Sequence, residues 1–435
     1  MTVLWMAVAI VAIVGVGALA ITPTPRAGII LTAILVAAIA VPISLIILAA
    51  LVLAGCFLAD VAFVTRRPIA IRAVPSLLIR GAAAPLGVTV ETATAGRVRI
   101  RQPRAAELAI DPPEADTELV ASVTAARRGR HTLPPIALRI TGPLGLAARY
   151  RRGDDPAEIV VFPDVLRARH IAAAIRRGLF RDAGELTRGP LGLGTDFESI
   201  RDYLPDDDIR QVNWPATQRQ GRPMSNQYRV EQDRTIIGLV DCGRLMAAPV
   251  DDRTRLDAAL DALVAVAHAA DELGDRAGVI AFADSIQREV RPRRRGADAI
   301  VQAVYDLEPT RTDAAYDLAF RAVGGGKRAL VMVFTDLLDG AAAAELVEAV
   351  PVLARRHVVV VAAVSDPDLE RYLSDAPTVV TDVYRAAAAH DLLSTRDSVI
   401  RQLRHAGATV VDARPDAFTD ACVGAYLRSK RTARL

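Results

Sequence analysis

Two aspartates that follow apolar stretches are the first candidates for chemistry in this sequence. Asp241 ends the run TIIGLVD, and Asp336 ends the run ALVMVFTD. Both runs are typical of buried strands, and the ligands of parallel α/β sheets bind at the carboxyl ends of the strands. Divalent cations prefer oxygen ligands such as the carboxylates at that edge. The sequence therefore makes Asp241 and Asp336 candidate metal ligands.

A run of three consecutive aspartates is the second candidate. Asp206–Asp208 follows Pro205 and lies among several arginines. As a turn or a helix N-terminus, these carboxylates would accept backbone N–H groups and form salt bridges. As an acid site, they would hold Mg²⁺ or Ca²⁺, although consecutive residues rarely converge on one ion. We favour the turn; the alternative is a metal-dependent hydrolase that uses this acidic cluster with Asp241 or Asp336.

The composition argues against several classes of protein. The formal net charge of the 435-residue chain is +3, which gives no support to nucleic-acid binding, and we expect no nucleic-acid partner. Three cysteines do not form a disulfide framework and suit a reducing compartment. The histidines have no zinc-ligand spacing, and the GGGK run at 324–327 lacks the spacing of a phosphate loop. We therefore expect no enzymatic activity and no cofactor.

The N-terminal region, residues 1–65, is predicted to be embedded in a membrane. The run Val3–Ile21 is uncharged and long enough to span a bilayer, and Ala27–Val64 carries Asp60 as its only charge. These runs predict two or three transmembrane helices. Arginines shortly after Val64 and none before Val3 favour a cytoplasmic body on a multi-pass protein of the cell (inner) membrane. An outward-facing envelope adhesion protein is the alternative.

Residues 66–165 form the second predicted region. Short runs such as RVRIRQ (97–102) and IALRIT (136–141) alternate apolar and polar residues between Pro and Gly breaks. This pattern predicts a small antiparallel β-sandwich with no catalytic motif. Its basic flanks are candidates for contact with the anionic headgroups of the lipid bilayer.

Residues 234–435 form the last predicted region. Apolar strands, including 277–284 and 357–364, alternate with helical patterns, including 253–273 and 341–354. This alternation predicts a doubly wound α/β fold with a parallel sheet covered on both faces. The arginines at 291–295 are interpreted as a solvated loop.

The region resembles a von Willebrand factor A-type domain, in which a strand ends in Asp-x-Ser-x-Ser and a threonine and a second aspartate complete a cation site. Here Asp241 matches the first aspartate, while Gly243 and Leu245 stand in place of the serines. Thr312 and Asp336 match the threonine and the second aspartate. The resemblance therefore implies a degenerate metal site. A divalent cation remains an open alternative to a scaffold that binds by surface shape.

The connector 166–233 carries a pattern that resembles the bacterial domain-of-unknown-function 58 family. The residues that carry it are Gly194, Phe197, Arg201, Tyr203, Asp207, Asp208, Arg210, Trp214, Arg219 and Tyr228. Asn213 stands where the family usually has aspartate, which makes a charge-dependent catalytic role less favoured. We expect an ordered connector that docks on the A-type domain through Trp214 and Tyr203.

This family resemblance implies a role rather than a reaction. Such proteins are similar to membrane-anchored partners of MoxR-type AAA+ ATPases, which work with other A-type-domain proteins. The implied function is an interaction or adaptor protein in a chaperone-like system.

Overall fold

The computed structural model describes residues 21–65, 69–91, 97–153, 155–179, 181–182, 185–186, 196–204, 212–229, 234–324 and 326–431. The predicted span Val3–Ile21 lies outside these residues except for Ile21. The chain divides into two compact units. The first is Met1–Ala126 with Arg130–Val161, and the second is Arg127–Gly129 with Phe162–Leu435.

Two apolar helices begin the described chain. Helix α1 is Pro25–Ala37, and helix α2 is Ile43–Val64. Thr24 caps α1, and Pro42 precedes α2, so the long apolar run is broken between them. Among the described residues, α2 is the one helix long and apolar enough to cross a membrane, since its 22 residues extend about 33 Å. Helix α2 therefore agrees with the prediction that this region contains an apolar helix long enough to span a membrane.

The rest of the first unit consists of β strands, and all strand pairs of its two larger sheets are antiparallel. In chain order they are β1 Ile21–Pro23, β2 Ile69–Ala73, β3 Leu77–Ile79, β4 Ala84–Glu91, β5 Arg97–Arg101, β6 Leu108–Asp111, β7 Glu114–Asp116, β8 Glu118–Ala125, β9 Gly129–Leu133, β10 Ala137–Thr141, β11 Ala147–Arg152 and β12 Ala157–Phe162. Three sheets have the orders β1-β11-β10-β5-β7, β2-β4-β8-β6 and β3-β12-β9. Alternate residues such as Val98, Leu119 and Ile159 face a shared core.

Asp60, the one acidic residue of α2, is buried and is bound by backbone donors. Its carboxylate accepts hydrogen bonds from the N–H groups of Leu144 at 3.0 Å, Leu146 at 2.7 Å and Ala147 at 3.2 Å. A Cβ on Gly142 would overlap this carboxylate. The loop between β10 and β11 is therefore fixed beside the last two turns of α2.

The second unit is built on a six-stranded sheet. The remaining strands are β13 Arg181–Asp182, β14 Glu185–Leu186, β15 Asp196–Asp202, β16 Met224–Arg229, β17 Thr235–Asp241, β18 Pro249–Val250, β19 Arg253–Thr254, β20 Arg276–Phe282, β21 Ile286–Arg294, β22 Leu330–Phe334, β23 Val358–Val364 and β24 Thr409–Ala413. The order of the large sheet is β21-β20-β17-β22-β23-β24. Its strands are parallel except β21, which pairs antiparallel with β20 at one edge.

Helices cover both faces of this sheet, as the doubly wound prediction requires. The helices of this unit are α3 Val165–Arg176, α4 Trp214–Gln220, α5 Arg255–Glu272, α6 Ala297–Val304, α7 Tyr316–Val323, α8 Gly340–Ala354, α9 Pro367–Ser374, α10 Val380–His405 and α11 Pro415–Arg431. Apolar residues of α3, α5, α6 and α11 form the core on one face, and those of α7, α8 and α10 form the core on the other. The coarse prediction of an apolar helix followed by β-rich and α/β regions is confirmed.

Two local predictions differ from the structure. The arginines at 291–295 were expected in a loop, but β21 extends to Arg294 and forms an edge strand. Pro292 is tolerated there because an edge strand leaves one row of N–H groups unpaired. Helix α3, which was expected to belong to the connector, has Ile171 and Ile175 in the core of the α/β sheet.

Candidate functional site

The carboxylate of Asp241, at the end of β17, is enclosed by hydrogen-bond donors. Its Oδ1 accepts a bond from the Gly243 N–H at 2.6 Å. Its Oδ2 accepts bonds from the hydroxyls of Thr335 at 2.7 Å and Tyr316 at 3.2 Å, and these hydroxyls are 2.7 Å apart. Thr335 follows β22, which is the parallel neighbour of β17, so sheet register brings it to the same edge. Both oxygens of Asp241 therefore have partners from the protein.

Burial controls the protonation of this cluster. It raises the pKa of Asp241 above its ordinary value, the nearby carboxylate of Asp336 raises it further, and the three hydrogen bonds oppose the rise. Burial, followed by the charge of Asp241, raises the pKa of the Tyr316 phenol well above its ordinary value. The phenol therefore stays protonated at neutral pH and remains a donor to the carboxylate.

Asp336 lies beside the guanidinium of Arg255. The Oδ1 of Asp336 is 2.6 Å from Nη1 of Arg255, and its Oδ2 accepts a bond from the Leu338 N–H at 3.3 Å. Arg255 also reaches Asp366 at 3.3 Å. Arg255 and Asp336 are both buried, so this arginine supplies the positive charge between two aspartates at the carboxyl edge.

A second buried arginine completes the network. Arg396, on α10, forms a 2.7 Å ion pair with Asp412 and donates to the Val364 carbonyl at 3.0 Å. Its Nη1 lies 4.0 Å from the Oδ1 of Asp336. Buried ion pairs of this kind depend strongly on every partner being present.

The predicted ligands Gly243 and Thr312 do not complete a cation site. The Thr312 hydroxyl lies 2.9 Å from the Thr310 hydroxyl, and its carbonyl accepts a bond from the Arg244 N–H at 2.9 Å. A Cβ on Gly243 would lie 3.0 Å from Oδ1 of Asp241 and 3.2 Å from the Thr312 carbonyl oxygen. A serine at this position would therefore require its neighbours to move.

A divalent cation does not fit the side chains as they are arranged. Asp241 faces three donors, and Asp336 faces a guanidinium and an N–H group, so neither has oxygens free for a metal. Across the part of the chain that the structure describes, no group of three or more His, Cys, Asp or Glu side chains could hold a metal ion.

A cavity of about 230 Å³ opens beside Asp241. Arg244 borders it and forms ion pairs with Asp313 at 2.6 Å and with Asp339 at 3.3 Å. Asp339 caps α8 by accepting the N–H groups of Ala341 and Ala342, and the Ala342 bond is the main cause of its lowered pKa. The cavity is thus lined by charged groups that a partner can reach.

The thiol next to Asp241 is not a candidate nucleophile. Cys242 is buried, and burial raises its pKa to about 12. The thiolate is the reactive form of cysteine, so this side chain is unreactive at neutral pH.

The family signature forms a two-stranded unit in which β15 pairs antiparallel with β16. Asn213 caps α4 between them by accepting the Ala216 N–H, and its amide donates to Asn226 at 2.7 Å. The amide therefore caps the helix as aspartate would, and it also donates a bond that aspartate cannot donate.

The signature residues have different environments. The Tyr203 N–H bonds to the Pro223 carbonyl, Arg201 lies on β15, and Arg219 is exposed in the last turn of α4. Phe197 and Tyr228 are paired in register.

Trp214 is 67% exposed, so the prediction that it anchors the connector is wrong. The remaining signature residues, which lie outside the described part of the chain, are Gly194, Asp207, Asp208 and Arg210.

Sequence reasoning missed Tyr316, Thr335, Arg255 and Arg396 as members of the site. Thr335 precedes Asp336 at the same strand end, which was a usable signal. Tyr316, Arg255 and Arg396 lie on amphipathic helices, where tyrosine and arginine are common residues, so nothing in the local sequence identified them as part of the site.

The fold and the site together define an α/β domain with a parallel sheet and a buried, hydrogen-bonded aspartate at its carboxyl edge. Residues 199–410 match the model of the family described as protein of unknown function DUF58. This part of the chain belongs to the DUF58 family, and the predicted resemblance is confirmed. No curated protein matches the chain.

Proposed function

We propose that this chain is a membrane-anchored, cytoplasm-facing interaction protein that works with a MoxR-type AAA+ ATPase in a chaperone-like system. In this proposal the α/β unit is an A-type scaffold that presents a partner or client without a bound metal. Other A-type-domain proteins belong to the same system, and the lipid bilayer holds α2.

The observation that carries this proposal is an apolar surface on α9 and α10. Large apolar side chains that are at least 44% exposed lie along both helices and the link between them. They are Tyr372, Leu373, Val379, Val380, Val383 and Tyr384. The buried residues of α10 begin only at Ala389, so the first nine of its 26 residues are outside the core. Contiguous exposed apolar surface on a protein body marks interaction sites.

The membrane part of the proposal rests on α2 and on charge. The helix has 22 residues, and Asp60 is its one charged side chain. The arginines that follow it, Arg66, Arg67, Arg72 and Arg80, favour a cytoplasmic location for the body. A multi-pass anchor would require α1, or the run before it, as a further span.

Co-purification of the ATPase from detergent extracts tests the proposal. The Val380→Glu variant places a charge on the apolar surface and should lower the recovery of the ATPase about tenfold or more. Val352→Glu is the matched control, because Val352 on α8 is 69% exposed and Val380 is 72% exposed. Undiminished recovery after removal of residues 194–435 would contradict the proposal.

Topology requires a separate measurement. Cys242 and Cys422 are buried, so an exposed reporter is introduced as Ser285→Cys. In intact cells an impermeant thiol reagent should leave this residue unlabelled until the membrane is permeabilised. Labelling without permeabilisation would indicate an outward-facing body and would support the adhesion alternative.

A further inference from the structure

The five-stranded sheet of the first unit carries a basic outer face. In the cross-strand register, Arg139 lies between Arg99 and Tyr150, and Arg97 lies opposite Thr141. The next row pairs Ala137 with Arg101 and Arg152. The Arg139 guanidinium lies 5.7 Å from the centre of the Tyr150 ring. Five arginines and one tyrosine therefore share this face.

The acidic residues of the same sheet lie on its far edge. Glu114 and Asp116 belong to β7, and Asp116 pairs with Arg99 at 3.2 Å. Strand β1, which leads into the apolar helices, is at the opposite edge. With about 4.8 Å between neighbouring strands, the acidic edge is roughly 19 Å from β1. Three of the five arginines lie on β5 beside this acidic edge, whereas Arg139 on β10 and Arg152 on β11 have no acidic residue opposite them on this face.

The loop that Asp60 holds fixes the position of this basic face along the axis of α2. Asp60 lies four residues before the end of α2, and its bonds hold Leu144–Ala147 beside the last turns of the helix. Leu144 is exposed and borders the apolar groove formed by α1 and α2.

Arg97 pairs with Thr141, one residue before this loop begins at Gly142, so it lies about 3 Å from the loop along the strand direction. Arg139 lies three residues before the loop and Tyr150 four residues after it, about 10–14 Å away. A headgroup layer is about 5–8 Å thick, so the Arg97 row lies within that distance of the loop and the Arg139 row lies just outside it.

We propose that this face binds the anionic phospholipid headgroups of the membrane that α2 crosses. Guanidinium groups form paired hydrogen bonds with phosphate, and a tyrosine at the membrane interface supports such contacts. A single tyrosine provides little base stacking, so lipid is favoured over single-stranded nucleic acid. The inference rests on the proposed membrane anchoring and adds a second contact with the same bilayer.

Lipid binding to the full chain in detergent micelles tests this inference. The protein is titrated with phosphatidylglycerol and, separately, with phosphatidylcholine, and bound lipids are counted by native mass spectrometry. The wild type should retain more phosphatidylglycerol. The variant Arg97→Gln/Arg99→Gln/Arg139→Gln should bind it about tenfold more weakly, with phosphatidylcholine unchanged. The corresponding lysine variant keeps the charge and should retain most of the binding.

The matched control is Arg311→Gln/Arg321→Gln/Arg385→Gln, which removes three exposed arginines of the second unit and should bind as the wild type does. Equal binding of both lipids by the wild type, or equal losses in the two triple variants, would overturn the inference. Single-stranded oligonucleotide binding that is lost only in the first variant, without lipid preference, would also overturn it. Extraction of the chain without detergent would instead contradict the anchoring itself.

Discussion

The two edges of the parallel sheet each bury an aspartate beside a tyrosine, but they neutralise the carboxylate differently. At the amino edge, Asp275 pairs with Lys430 at 2.7 Å and accepts bonds from the Tyr426 hydroxyl at 2.6 Å and the Arg234 N–H at 3.2 Å. At the carboxyl edge, the donors to Asp241 are an N–H group and two hydroxyls, and a cavity opens beside it.

The two edges therefore differ in how the carboxylate is compensated and in its access to solvent. The charge of Asp275 is compensated inside the protein and is fully buried. The charged group that acts on the pKa of Asp241 is another carboxylate, Asp336, while the cation Arg244 is exposed on the rim of the cavity. At the same edge the guanidinium of Arg255 compensates the carboxylate of Asp336.

Removal of Asp275 should have the largest effect on stability. Asp275→Ala leaves Lys430 buried without its carboxylate, which should destabilise the second unit by about 4 kcal/mol. The midpoint of thermal unfolding of the full chain in detergent should fall by roughly 10 °C. The double variant Asp275→Leu/Lys430→Met is the control and should recover most of the loss. A decrease below about 1 kcal/mol in the single variant would remove the contrast between the edges.

Removal of Arg255 should have the next largest effect, about 3 kcal/mol, because Asp336 loses its closest cation. Thermal unfolding of Arg255→Met measures this loss.

The wild type should give no binding heat with Mg²⁺, Mn²⁺ or Ca²⁺ in calorimetry, since the guanidinium of Arg255 already occupies the position between Asp336 and Asp366. Measurable heat in the wild type would revive the metal-dependent alternative.

Substitution of Asp241 should have a smaller effect that depends on pH. Because the folded-state pKa of Asp241 is raised, its stabilising contribution is present below the unfolded value of 3.8 and is lost as pH rises through the folded value. The free energy of unfolding of Asp241→Asn should therefore differ from that of the wild type by about 1–2 kcal/mol at neutral pH. As pH falls, the wild type should become more stable relative to this variant. Thermal unfolding at several pH values, with Asp313→Asn as an exposed control, measures the trend. A difference that does not change with pH would contradict it.

Loss of Arg244 should have the smallest effect on stability. Its side chain is 48% exposed and its ion pairs are screened by solvent, so Arg244→Gln should leave the midpoint of thermal unfolding nearly unchanged. If the cavity is a partner site, the same variant should change recovery of the ATPase while thermal unfolding is preserved. A large loss of stability would show that Arg244, like Asp275, is needed for the fold of the second unit.

Sequence patterns predicted the parts of the fold that depend on local periodicity. The runs ending at Asp241 and Phe334 are continuously apolar, which indicates strands buried on both faces. Strand β21 was missed because its exposed arginines lack such a run. The site was predicted only in part: strand ends identify Asp241 and Asp336, whereas the bonds from Tyr316 and Arg255 depend on helix packing that no local pattern encodes.

The hydrogen bonds to Asp60 bear on how the protein is made. A carboxylate in an apolar helix is unfavourable in a bilayer, and its donors come from residues 144–147, which are synthesised some eighty positions later. Under the proposed anchoring, the Asp60 carboxyl group of the inserted helix lacks these donors until β10 and β11 have formed. Molecules whose β strands fail to fold would keep this polar group in the helix without its hydrogen-bond partners.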